Sequence, residues 1–90
     1  MAKADNQIDG LEIIFYSNDH EPEHFHARKP GEWEIRVYFR FCTTDHLEYE
    51  EKWTLKSAGP SKKDRERLCD YVQQHRNSLE HEWETKVCQD

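Results

Sequence analysis

The sequence predicts an α+β fold: a small antiparallel sheet of about four strands, then one long C-terminal helix packed on a face of it (ββββα). Three observations carry that prediction. Between residues 11 and 55 the apolar residues fall in short β-branched and aromatic runs, two of them alternating with a period of two. Beyond residue 61 they recur at steps of three and four along one stretch. The pairs Pro30-Gly31 and Gly59-Pro60 punctuate the chain, the second falling where the period changes.

Each element follows in order. Residues 1–10 are mostly polar and read as a frayed arm ending at Gly10, which leaves 11–87 as a single domain. Leu11 to Ser17 (LEIIFYS) reads as a buried strand, and Asn18 to Glu23 (NDHEPE) has turn chemistry. His24 to Arg28 makes a second strand, turned back at Lys29-Pro30-Gly31. From Trp33 to Phe41 the alternation is clearest: Trp33, Ile35, Val37, Phe39 and Phe41 share one face, Glu34, Arg36, Tyr38 and Arg40 the other. A fourth strand, Leu47 to Leu55, puts Leu47, Tyr49, Trp53 and Leu55 on one face with Glu51 out of pattern. Ser61 is the expected N-cap of the helix, with Asp64 three residues on. Leu68, Val72, His75, Leu79, Trp83 and Val87 form its apolar stripe.

Composition bounds the function. Ninety residues suffice for one domain, and 34% hydrophobic against 36% charged residues means a thin core. Such a domain gains stability by pairing with a small protein partner or with itself. No apolar run approaches the roughly 20 residues of a membrane span, and no signal-peptide stretch opens the chain, so the expected compartment is the cytoplasm. Cys42, Cys69 and Cys88 form no C-x-x-C pair and read as free thiols. A formal net charge of −6 disfavours general affinity for RNA.

Three histidines fall within seven residues: His20, His24 and His26. Alternate residues of a strand share a face, so His24 and His26 can converge on one ion or one substrate atom. His20 in the preceding turn is the candidate third nitrogen and Asp19 a candidate carboxylate, which together suit a divalent metal such as zinc. Without a metal, His24 and His26 can serve as base and acid, Asp19 orienting one ring and Arg36 or Arg28 stabilising negative charge. The plainer reading makes the same histidines structural. Register at the Pro30-Gly31 turn decides between versions. A three-residue loop of Lys29, Pro30 and Gly31 sets Ala27 opposite Trp33 and Phe25 opposite Ile35, turning His24 and His26 outward beside Arg36. A two-residue Pro-Gly turn sets His26 opposite Ile35 and turns them inward. Burial of Phe25 favours the first, whose outer face carries His24, His26, Arg28, Arg36 and Arg40 as a cationic patch. A second basic cluster, Lys62, Lys63, Arg65 and Arg67, stands at the helix start as a candidate anion-binding site or a solvated face. His75 reads as a core histidine.

The run FYSNDHEPEHFHA resembles the signature of small bacterial proteins grouped as domain-of-unknown-function family 4160. Phe15, Asp19, His20, Pro22, His24, Phe25 and His26 fall on it, while Glu23 replaces a second proline. Leu68, Tyr71, His75, Leu79 and Trp83 match the spacing of the family's helix, and EWEIRVYFRF departs from its usual acidic hairpin. The resemblance implies a small intracellular domain with a protein partner, the toxin-like member of a toxin–antitoxin-like pair. Two functions are therefore expected as alternatives. One is an effector acting on RNA or phosphate through the histidine turn; the other is a non-enzymatic interaction module in which that turn is structural.

Overall fold

The computed structural model describes residues 2–55 and 59–87. Five strands, β1 (Ala2–Lys3), β2 (Glu12–Phe15), β3 (Phe25–Lys29), β4 (Trp33–Val37) and β5 (Tyr49–Thr54), form one sheet in chain order, every neighbouring pair antiparallel. Helix α1 (Lys62–Lys86) follows. The expected α+β architecture is present with one strand more than the alternation suggested.

The extra strand is β1, in the segment read as a frayed arm. Ala2 pairs with Phe15 and Lys3 with Ile14, and the Ala4 amide donates to the Ile13 carbonyl at 2.9 Å. Local propensity did not reveal it because distant side chains hold it. The Asp5 amide donates to Glu82 on α1, and Gln7 bridges to the Ala4 and Ile13 backbones.

Ile13, Phe15, Phe25, Ala27, Trp33, Ile35 and Val37 are buried and meet Leu68, Tyr71, Val72, Leu79 and Trp83 of the helix in one core. The hairpin between β3 and β4 closes over Pro30, Gly31 and Glu32, with Lys29 opposite Trp33 and Phe25 opposite Val37. Both registers considered above are thus corrected. Gly31 sits at φ +78°, a left-handed position suited to glycine, and this allows the loop to form one residue later. A shift of two from the first register keeps every side chain on its face. Phe25 therefore turns inward, and His26 shares a face with Arg36.

Two further departures have local causes. The strand expected to run to Phe41 ends at Val37, and Phe39–Phe41 make a 3₁₀ turn. Arg76 of α1 donates to the carbonyls of Phe39 and Cys42 at 2.7 and 2.8 Å, pulling this segment toward the helix. Phe39 stays buried while Phe41 is 55% exposed. On β5, Trp53 lies opposite Glu34 and Glu51 opposite Ile35, so Lys52 is a bulged extra residue. The bulge reverses the alternation: Trp53 joins the outer face and Leu55 is 70% exposed.

Ser61 caps α1 as expected, its Oγ accepting from the Asp64 amide at 3.1 Å. Of the predicted stripe, Leu68, Val72, Leu79, Trp83 and Val87 are buried. His75 is half-buried at a kink (φ −121°, ψ 18°), its ring against Tyr71. No described helix is long and apolar enough to cross a membrane. Cys42 and Cys69 are free, buried thiols, whereas Cys88 lies outside the described residues.

Candidate functional site

The turn between β2 and β3 folds back over the outer face of the sheet. The Asp19 amide donates to the Tyr16 carbonyl at 3.1 Å, and the Asp19 carboxylate accepts from the Tyr16 amide at 3.4 Å. That closure delivers the Asp19 carboxylate onto His26, with Nε2 to Oδ2 at 3.0 Å. Tyr16 lies edge-on to the same imidazole, ring centroids 4.3 Å apart. His26 thus points away from the core, as its register requires, yet is only 1% exposed because the turn covers it.

Behind His26 stands Glu34, on the neighbouring strand and 2% exposed. Its Oε2 lies 3.1 Å from His26 Nδ1, 3.3 Å from the Tyr16 hydroxyl and 3.2 Å from Lys52 Nζ. A buried carboxylate is tolerable only when paired and hydrogen-bonded, and Lys52, the Tyr16 hydroxyl and the His26 ring supply those partners. Burial pushes the His26 imidazolium below its ordinary pKa, outweighing the pull of Asp19 and Glu34. Burial, then Glu34, pushes the Tyr16 phenol up.

His24 sits just before β3, 4% exposed, its ring 5.2 Å from that of His26 and near Trp83 and Tyr38. Its Nδ1 donates to the Pro22 carbonyl at 2.8 Å. Its Nε2 finds no hydrogen-bond partner among the described residues and lies 3.4 Å from Asp19 Oδ2. Asp19, His24 and His26 each bring one donor atom within 4.8 Å of the others.

Convergence of the two histidines and Asp19, expected from the sequence, is thus present. His20 does not join them and is exposed. Arg36 and Arg28 share the face but bond Glu50 and Glu12, at 3.0 and 2.9 Å. With Arg40 on Glu23 and Lys52 on Glu34, the expected cationic patch is instead a neutralised lattice of ion pairs. Lys62 and Lys63 are exposed, and Arg65 donates to the Pro60 carbonyl. Lys62 and Arg65 border a cleft of about 630 Å³, but Asp45, Glu66 and Asp70 border it too, so no cationic pocket results.

Glu34, Tyr16 and Lys52 were not singled out by sequence reasoning. Glu34 occupied a polar position of an alternating strand, indistinguishable there from a solvated glutamate. The signal was its register, which sets it opposite Arg28 and diagonal to His26.

No curated protein and no solved structure matches the chain. A family model does, over residues 10–84, a span holding the whole histidine turn, the sheet from β2 to β5 and most of α1. The chain belongs to the family described as a domain of unknown function (DUF4160).

Proposed function

We propose that the protein is a non-enzymatic protein–protein interaction module in which the histidine turn is a structural latch. One observation carries this reading: His24 and His26 are 4% and 1% exposed. A general acid or base must come within about 3 Å of a substrate atom, and these rings are packed against Tyr16, Tyr38 and Trp83 instead. The latch pins the turn to β3 and β4 and leaves partner binding to the rest of the surface.

The edge strand β5 is the favoured docking element. Leu55 directly follows it, and Phe41 lies in the 3₁₀ turn on the connection that leads to it. These two are the exposed large apolar side chains among the described residues, and the strand carries the half-buried Trp53. Glu50, Glu51 and Lys52 guard it against indiscriminate strand pairing. A net charge of −6 suits a small basic protein partner.

The test separates this module from an effector. The tagged full chain is expected to retain one partner in defined stoichiometry, and Phe41→Ser with Leu55→Ser is expected to release it. In parallel, the chain is expressed alone in a bacterium beside the His24→Ala, His26→Ala double variant. Growth arrest that the double variant abolishes, and the Phe41→Ser, Leu55→Ser variant keeps, overturns the module in favour of the effector.

A further inference from the structure

We propose that Asp19, His24 and His26 hold one divalent transition-metal ion, with the Pro22 carbonyl and Glu34 fixing the two imidazoles from behind. The inference starts from one atom. A carbonyl oxygen can only accept, so the 2.8 Å contact to Pro22 places the His24 proton on Nδ1. The neutral ring then presents a bare lone pair at Nε2. That buried nitrogen has no hydrogen-bond partner among the described residues, and it faces another lone pair, that of Asp19 Oδ2, at 3.4 Å. A buried imidazole lone pair beside a carboxylate oxygen, with no hydrogen between them, is the arrangement that a cation held by both stabilises.

His26 stands on the other side of the same carboxylate, with its Nε2 in contact with both Asp19 oxygens, at 3.0 and 3.2 Å. Its Nδ1 lies 3.1 Å from Glu34, which Lys52 and the Tyr16 hydroxyl already hold, and in the Nδ1–H tautomer it donates there. That tautomer leaves the Nε2 lone pair for an ion shared with Asp19; the other tautomer donates Nε2–H to Asp19 and leaves no place for one. Ligating histidines characteristically donate their other N–H to a backbone carbonyl or a carboxylate, which fixes tautomer and ring orientation. Here one histidine has each kind of outer partner. A tetrahedral ion about 2.0–2.1 Å from its donors separates them by roughly 3.3 Å. The two contacts to Asp19 stand close to that spacing.

Two imidazoles and one carboxylate select zinc, cobalt, nickel or iron(II) over magnesium and calcium, which take oxygen donors. Three protein donors leave a position for water or an outside ligand. Asp19, with its side chain 13% exposed against 5% and 2% for the histidines, marks the side on which that position opens. His20 is no part of the set. The competing occupant is a proton, donated to Asp19 by His26 Nε2 or shared between Asp19 and His24. This proposal does not rest on the module reading, since metal binding and partner capture are measured separately.

The full chain, stripped with chelator, is titrated with Co²⁺ as a visible probe and with Zn²⁺ by calorimetry, Mg²⁺ serving as control. The expected result is one ion per chain, visible Co²⁺ bands of a four- or five-coordinate site, and a melting temperature raised by Zn²⁺ but not Mg²⁺. His24→Ala and Asp19→Ala should weaken binding by about 100-fold or more, and Glu34→Gln by about 10- to 100-fold. His20→Ala and His46→Ala should bind as the parent does. In the parent chain, the Nε2 ¹⁵N resonances of His24 and His26 should both move on adding Zn²⁺, a readout needing no variant to fold. Unmoved resonances, absence of 1:1 binding, or loss of binding in His20→Ala or His46→Ala overturns the site and leaves the proton as occupant.

Discussion

His24 and His26 are two residues apart, yet they are held in different ways. His24 is anchored to backbone and packed at tilted angles among aromatic rings, whereas His26 is clamped between two carboxylates. Removing one member of a buried charged cluster strands the others, which costs far more than losing a surface pair. Glu34→Ala leaves His26 Nδ1, the Tyr16 hydroxyl and Lys52 without their shared acceptor, and is expected to destabilise the fold by about 3 kcal/mol or more. Arg36→Ala removes only a contact to the well-exposed Glu50, so its cost should stay below about 1 kcal/mol. Urea unfolding of both variants checks the pair; equal losses would deny Glu34 its place in the latch. Sequence reasoning could see His24 and His26 meeting, because a period of two needs no tertiary information. Glu34 was out of its reach, since burial of a glutamate depends on which strand lies beside it and on what folds over the top.

Among the elements, long regular patterns were legible and local irregularities were not. The stripe from Leu68 to Val87 and the Ser61 cap depend on spacing within one segment, and both stand as read except at His75, which is half-buried at a kink. The Lys52 bulge, the 3₁₀ turn at Phe39–Phe41 and strand β1 arise where one element is gripped by another, and no local pattern encodes that grip. Tyr71 is one such grip. Its hydroxyl donates to the Asn6 carbonyl at 2.7 Å, joining helix to N-terminal arm, and burial pushes its phenol well above the ordinary tyrosine pKa. A pKa raised on folding gives stability that is full below the unfolded value of about 10 and falls as pH rises beyond it, because the unfolded chain releases the proton first. The protein should therefore lose stability above about pH 10. Tyr71→Phe should remove Tyr71's share of that loss and cost about 1 kcal/mol at neutral pH. Chemical denaturation at pH 7 and pH 10.5 measures both; an unchanged alkaline slope in the variant would assign the loss to other groups.

At the scale of the whole molecule, a thin apolar core is supplemented by polar side chains of α1 that seize the backbone of distant segments. Arg76 holds Phe39 and Cys42, Tyr71 holds Asn6, Glu82 accepts from Asp5, and Lys86 donates to Lys3. Three of these four act on the N-terminal arm, which closes one edge of the sheet. With β1 in place, β2 is an interior strand whose Ile14 and Phe15 are fully buried. Deleting residues 2–7 would strip the ladder from β2, expose that apolar edge and leave the buried Glu82 with Ser78 and Lys86 alone. The lost buried hydrogen bonds alone amount to roughly 2–4 kcal/mol. A bare strand edge also recruits a strand from another chain. The truncated protein is therefore expected to melt at lower temperature and to form dimers or larger species through β2, with sedimentation showing association that rises with concentration. A truncated chain that stayed monomeric and melted like the full one would show that the arm only decorates the sheet. It would also leave β5 as the single edge with a consequence for association.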